Sequence, residues 1–324
     1  MGLIEIGSRA TRLLIADVLP PMRVCPFKTR VQLHSIMNLL GGSEAPLRNE
    51  LAMVGETVRA FLDALRTEAV ERTLVFGTEA IRRLAGSEAL QSSELNDLLD
   101  LILDARTEAT ASLIAGFMSV CDRKAEAGDI VVIDQGAGSI EIALGAVAPS
   151  VIVKRFASLP LGGEPLLESF RESSRSLDSL RSKVVPVVDG LTDFSLPFGQ
   201  VIVMGTVATK CAWLTKRQYR LEKYDAKKVD GTTISSELLS GIYAQTNLFS
   251  KHRNPEAAWQ EFQEFVNPGE PSGDAGERVA TGIVPLIEIL KRIGKREFAV
   301  SALGTRHGMA VILSFAPELL PSAY

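Results

Sequence analysis

VVIDQGAGSIEIALG, residues 131–145, is the stretch whose reading decides the fold. Val131, Val132 and Ile133 form an apolar β-branched run that ends in a carboxylate, Asp134. Gly136-Ala137-Gly138-Ser139 then reads as a tight turn, and a second alternating run carries one more carboxylate, Glu141. Apolar runs flanking a glycine turn predict strand, turn, strand. Glycine takes backbone angles that side chains forbid and lets main-chain N–H groups approach a ligand closely. A row of such groups suits a phosphate. Asp134 and Glu141 beside it are carboxylates of the kind that hold a hydrated Mg²⁺.

The same pattern opens the chain at LIEIGSRATRLLIADV, residues 3–18. Laid over the first stretch at a constant offset of 129 residues, Glu5 falls on Asp134, Gly7 on Gly136, Ser8 on Ala137, Arg9 on Gly138 and Ala10 on Ser139. A strand-turn-strand unit repeated at that distance implies two similar domains facing each other, each giving a phosphate loop to a shared cleft. Arg9 either adds charge to a bound phosphate or fills the place where substrate would go.

At 324 residues two domains are expected. With 46% hydrophobic and 23% charged residues the composition is ordinary for a globular chain. A formal charge of −4 argues against a general role on nucleic acid or on a membrane surface, and leaves room only for a local basic cleft. The three cysteines, Cys25, Cys121 and Cys211, show no metal-ligand or redox spacing and are expected as buried free thiols. No signal peptide or apolar span is visible, so the expectation is a cytoplasmic protein.

Residues 27–35 read as a third strand. Apolar residues then recur with helical spacing at Leu51, Val54, Val58, Phe61, Leu62 and Leu65. Thr73–Phe76 reads as a buried strand, Gly77-Thr78-Glu79-Ala80 opens a helix carrying Arg82 and Arg83, and residues 93–118 read as mostly helical. Lys124–Gly128 is a polar connection to the second domain. That domain continues with a strand at 150–156, the turn Ser158-Leu159-Pro160-Leu161-Gly162, a helix near 163–171 and a buried strand at 201–204 ending in Gly205-Thr206. Thr233–Leu248 reads as helical, Asn267–Gly276 as a loop and 277–293 as a helix, followed by a strand at 298–301 and a last helix after Gly304. Gly205-Thr206 and Thr209-Lys210 read either as capping a helix near a nucleotide or phosphate or as a plain strand-to-helix turn. Trp213 and Trp259 are expected in the core or at an interface. Alternating strands and helices predict an α/β fold.

Several of these stretches, in order, resemble the Ppx/GppA family of exopolyphosphatases and guanosine pentaphosphate phosphohydrolases. IEIGSRATRLLIADV is similar to its opening D-I-G-S-N-S-x-R-L-L, FGTEAIRRL to A-T-S-A-x-R-x-A, and TEATASLIAGF to E-E-A-x-L. VIDQGAGSIEIALG resembles D-I-G-G-G-S-x-E, and SLPLGGEPL matches S-L-P-L-G. VMGTVATKCAWL resembles G-G-T-A-T-x-L-A, and SALGTRHGMAVIL resembles S-x-x-G-x-R-x-G. The resemblance runs from residue 3 to about 313.

The resemblance implies two ribonuclease-H-like domains of the sugar kinase/Hsp70/actin superfamily with an interdomain cleft. The first would be residues 1–125, completed by the C-terminal helix 305–324, and the second residues 126–304. It implies Mg²⁺ as cofactor, polyphosphate or a guanosine polyphosphate nucleotide as substrate, and a homodimer. Asp134, Gly136, Ala137, Gly138, Ser139 and Glu141 would form the second phosphate loop with its metal-side carboxylates, Asp134 and Glu141. Gly7, Ser8 and Arg9 would form the first, with Glu5 as a further metal-side carboxylate. Arg82 matches a phosphate-contacting arginine, and Arg306 would shape or charge the site. Glu108 matches a glutamate that orients the attacking water, although the helix also aligns with Ala109 at that place.

The chain departs from the pattern in several residues. Glu5 stands for Asp, Arg9-Ala10 for Asn-Ser, Glu79 for Ser and Thr107-Glu108 for a glutamate pair, while Gln135 and Ala137 replace Ile and Gly. Two readings follow: a phosphohydrolase that releases terminal phosphate, or a binding protein that keeps the fold without turnover. A kinase-type ATP user is a weaker third, because SLPLG fits the phosphohydrolase branch.

Overall fold

The structure is a computed structural model that describes residues 1–20, 22–120, 128–147, 150–191, 194, 197–216, 224–267 and 273–320. In chain order the first elements are β1 (Gly2–Ile6), β2 (Ala10–Leu19), β3 (Arg23–Leu33), α1 (Ile36–Leu39), α2 (Glu44–Thr67), β4 (Thr73–Gly77), α3 (Glu79–Leu84), α4 (Glu88–Gln91), α5 (Glu94–Leu98), β5 (Leu101–Ile102) and α6 (Ala105–Val120). Then come β6 (Ile130–Gln135), β7 (Ile140–Ala146), β8 (Ile152–Leu159), α7 (Gly163–Glu172), α8 (Leu177–Asp189), β9 (Gln200–Met204), α9 (Thr206–Thr215), β10 (Thr233–Ser235), α10 (Ser236–Asn247), α11 (Pro255–Val266), α12 (Ala275–Arg292), β11 (Glu297–Ser301) and α13 (Thr305–Phe315). They gather into two compact units, Met1–Met118 with Thr305–Tyr324, and Ser119–Gly304.

The first unit is built on a five-stranded sheet of order β3-β2-β1-β4-β5. β1 pairs antiparallel with β2 and parallel with β4, so the sheet is mixed. Its strands alternate. Ile4, Ile6, Leu13 and Ile15 share a buried cluster with Leu47, Leu51, Val54, Val58, Phe61 and Leu65 of α2. The helical periodicity of α2 therefore buries one stripe on one face of the sheet. α13 packs on β1, β2 and β3. It meets α6 so closely that a Cβ on Gly308 would lie 1.8 Å from the carbonyl oxygen of Ala111.

The second unit repeats the plan with six strands, β10-β11-β9-β6-β7-β8. β6 again pairs antiparallel with the next strand, β7, and parallel with β9. Its core takes Val131, Ile133, Ile142 and Leu144 from the sheet. Phe170 of α7, Leu180 of α8, Trp213 of α9 and Ile283 and Leu290 of α12 join them. Trp259 is buried too, edge-on to Phe170 with ring centroids 5.4 Å apart.

The repeat seen at an offset of 129 residues is a repeat of geometry. Gly7 N–H donates to the carbonyl of Ala10 at 2.9 Å, and Gly136 N–H donates to that of Ser139 at 3.0 Å. The expected α/β class is observed, in two units of similar strand plan.

Several local expectations are corrected. Thr233–Ser235 is a strand, and only Ser236–Asn247 is helical. Three residues are too few for a period to show, and the Ser235 hydroxyl starts the helix by accepting from Leu238 N–H at 3.3 Å. The region 93–118 is broken by the two-residue β5. α8 was not anticipated; Pro186 lies inside it, and proline usually argues against a helix interior. Cys211 is buried, whereas Cys25 on β3 is partly exposed. Cys121 and the connection at 124–127 lie outside the described residues. Among the described residues no helix is long and apolar enough to cross a membrane.

Candidate functional site

In the second unit, β6 delivers Asp134 and β7 returns Glu141 directly opposite it in the ladder. Opposed residues of a ladder project to the same face. Two carboxylates side by side repel unless a proton or a cation lies between them. Glu141 is only 3% exposed. Its Oε1 accepts from Ser139 Oγ at 2.6 Å and from Ser158 Oγ at 2.9 Å. Two hydroxyl donors on one oxygen fix the direction of the carboxylate.

Between the strands runs the loop Gly136–Ser139. Two of its carbonyls are held by the start of α7. Gly163 N–H donates to Gly136 O at 3.0 Å, and Glu164 N–H to Ala137 O at 2.8 Å. The N–H groups of Ala137, Gly138 and Ser139 donate to no protein acceptor among the described residues. Gly138 and Ser139 are buried. Buried N–H groups are costly unless something accepts from them, and a turn of such groups is the kind of backbone that can receive an anion.

Gly162 makes this docking possible. A Cβ there would lie 2.2 Å from the carbonyl carbon of Gly138 and 2.4 Å from Ser139 N. Gly205, which starts α9 after β9, has φ +104°, and a Cβ there would meet Gln135 O at 2.4 Å. Thr209 Oγ bonds to Gly205 O at 3.1 Å and to the hydroxyl of Tyr224 at 2.5 Å. Lys210 Nζ reaches Asn267 Oδ1 at 2.8 Å and lies 4.2 Å from the centre of the Tyr224 ring. These two side chains bond within the unit.

In the first unit the equivalent loop, Gly7–Arg9, is tied down differently. His34 N–H donates to Arg9 O at 2.8 Å and Met37 N–H to Ser8 O at 3.1 Å. Arg12, opposite Glu5, occupies the place that Glu141 takes in the second unit. Glu5, expected as a metal-side carboxylate, has two cations beside it. Its Oε1 lies 3.5 Å from Arg12 Nη1 and its Oε2 3.4 Å from Arg306 Nη1. A carboxylate between two guanidiniums is already neutralised, and the loop it borders is a cationic environment. Beside it, burial and the Arg12 charge lower the pKa of His34 to about 4.

Arg82 and Glu108 come together in this unit. Arg82 Nη1 donates to Glu108 Oε2 at 2.8 Å and to Leu103 O at 2.7 Å, and Nη2 donates to Glu79 Oε2 at 2.5 Å. Burial opposes the charge on Arg82, but Glu108 and Glu79 outweigh it and keep its pKa above the usual arginine value. Glu108 lies in the first turn of α6, where the helix dipole favours a negative charge. Ala109 is fully buried, so of the two alignments only Glu108 brings a carboxylate to Arg82. His307 is buried.

Sequence reasoning named Asp134, the loop, Glu141, Arg82 and Glu108; it did not name Arg12, which faces Glu5, or Ser158 and Gly162, which hold Glu141 and the loop. The signals were present: Arg12 is the 129-residue counterpart of Glu141, and Ser158 and Gly162 bound the SLPLG match. Among the described residues no group of three or more His, Cys, Asp or Glu is arranged to hold a metal. The Asp134–Glu141 pair suits Mg²⁺, which keeps several waters and binds through one or two carboxylates plus phosphate.

This fold is that of the Ppx/GppA phosphatase structures. The Ppx/GppA family member of Aquifex aeolicus superposes with a TM-score of 0.74 at 22% identity, over 99% of this chain and 98% of that one. An exopolyphosphatase from Cytophaga hutchinsonii does so with a TM-score of 0.69 at 18% identity, covering 96% of each chain. An exopolyphosphatase-like protein gives 0.73 at 19%, again over 96% of each. No family model and no curated protein matches the sequence.

Proposed function

We propose that this protein is a Ppx/GppA-type phosphohydrolase that releases the terminal phosphate of inorganic polyphosphate or of a guanosine pentaphosphate-type nucleotide by attack of water, with Mg²⁺ as cofactor. The observation that carries it is the loop Gly136–Ser139, whose inner N–H groups have no protein acceptor among the described residues, beside the opposed carboxylates Asp134 and Glu141. The nearly full-length likeness to exopolyphosphatase structures supports the same reading.

Phosphoryl transfer asks little covalent chemistry of a protein, and the barrier falls through positioning and charge stabilisation. The loop N–H groups would hold phosphate oxygens. Asp134 and Glu141 would hold Mg²⁺, which when bound neutralises charge on those oxygens. Ser139 and Ser158 keep the Glu141 carboxylate in place. Arg82 would contact phosphate. Glu108 would orient the water and draw on its proton, a role worth about 10²–10⁴-fold.

The test is phosphate release from long-chain polyphosphate and from guanosine pentaphosphate, with and without excess EDTA, with Glu108→Gln in parallel. Release that needs Mg²⁺ and drops at least about a hundredfold in Glu108→Gln is the expected result. Release that survives the substitution overturns the assignment of Glu108. Tight binding without release supports the non-catalytic reading.

A further inference from the structure

Glu79 is the first residue of α3 and Arg82 lies one turn on, so the spacing brings carboxylate and guanidinium together. Glu79, Glu108 and the Leu103 carbonyl enclose the guanidinium on two of its nitrogens. The three side chains are well shielded: 21% of Arg82, 18% of Glu79 and 8% of Glu108 is exposed. A guanidinium that already carries two carboxylates is a poor receptor for a phosphate. Yet Arg82 is not sealed in. It lines a cavity of about 430 Å³ together with Gln91, Asn96 and Asp104. Among the described residues no acceptor is bonded to its Nε–H.

Glu108 and Glu79 are not equivalent partners. Glu108 shares Nη1 with a backbone carbonyl that cannot leave. Among the described residues Glu79 alone bonds Nη2, and its other oxygen lies 4.0 Å from Arg83 Nε, on a side chain that is 52% exposed. Glu79 therefore has a second cation to turn to when it lets go.

We propose that Glu79 is a specificity-determining residue that competes with substrate for Arg82. Resting on the phosphohydrolase reading above, the inference is that Glu79 covers the Nη2 edge of Arg82 until a phosphate chain displaces it. A chain of several phosphates, held elsewhere along its length, can displace the carboxylate. A single orthophosphate, the product, cannot. The device favours chain phosphates over orthophosphate and limits product inhibition.

Calorimetric titration of tripolyphosphate and of orthophosphate into the wild type, Glu79→Gln and Glu79→Ser, with steady-state kinetics on polyphosphate, tests this. A charged hydrogen bond is worth more than a neutral one by enough to change binding roughly tenfold. Both variants are expected to bind tripolyphosphate roughly tenfold more tightly and to gain inhibition by orthophosphate, with the change in KM rather than in kcat. Arg82 keeps Glu108 and Leu103 O in both variants, and a thermal melt confirms the fold. Unchanged or weaker binding in folded variants overturns the inference, as does a loss of kcat at constant KM. A wild type that neither binds nor cleaves tripolyphosphate, polyphosphate or guanosine pentaphosphate overturns the phosphohydrolase reading, and this inference with it.

Discussion

Replacing Gly162 with alanine adds one methyl group at the junction of α7 and the loop Gly136–Ser139. That carbon would stand 2.2 Å from Gly138 C, 2.4 Å from Ser139 N and 2.5 Å from Ala137 O. Carbon atoms in good contact lie about 3.5–4.0 Å apart, so the loop or the helix must retreat by roughly 1 Å. All three opposing atoms are backbone, and no side chain can rotate aside. Retreat breaks the bonds from Gly163 N–H and Glu164 N–H to the loop carbonyls. Overpacking strain of about 1–3 kcal/mol plus about 1 kcal/mol for each bond gives a loss of about 3–5 kcal/mol. For a unit of this size each kcal/mol lowers the melting temperature by about 2–4 °C, so the second unit is expected to melt roughly 10 °C lower by scanning calorimetry. Phosphate release should fall with it, because the N–H cradle moves. The neighbouring Gly163→Ala is the control: its Cβ would have nothing nearer than 3.9 Å and should be close to neutral. If Gly162→Ala melts within about 2 °C of the wild type, the docking of α7 on the loop is wrong.

Two further outcomes are expected. Ser158→Ala leaves the buried Glu141 carboxylate with Ser139 as its remaining hydroxyl donor of the two; a charged hydrogen bond is worth about 1.5–3 kcal/mol, so half-maximal phosphate release should need roughly tenfold more Mg²⁺, read from a Mg²⁺ titration. His34 ionises at about 4 when folded, against an ordinary 6.5. Between those values the unfolded chain takes up a proton that the folded chain refuses, so stability falls as pH drops through the window, by up to ~3 kcal/mol. His34→Gln should flatten that dependence in urea melts at pH 7 and pH 4; an unchanged slope refutes it.

Much of the fold was legible in the residues. Strand and turn chemistry are local, so the alternation of 3–18 and 131–145 and the glycines between them were enough to locate both hairpins and their repeat. The stripe Leu51, Val54, Val58, Phe61 and Leu65 was enough to predict α2, because a helix buries every third or fourth residue. The short elements escaped: β5 has two residues and β10 three, and pairing with a distant strand creates them.

What the sequence by itself determined is therefore the pair of glycine turns, the carboxylates Asp134 and Glu141 that flank one of them, and the presence of Arg82 and Glu108 on helices. What only the tertiary structure decided is who neutralises whom. Glu5 lies opposite Arg12 in the ladder and meets Arg306 from the far end of the chain, so two arginines stand beside this candidate carboxylate. Glu79 reads as an ordinary first-turn glutamate until Glu108, 29 positions on, closes on the other side of Arg82. Coulomb energy falls off with distance through space and takes no account of separation along the chain, so the charges at this site become defined only when the strands are paired and the helices packed.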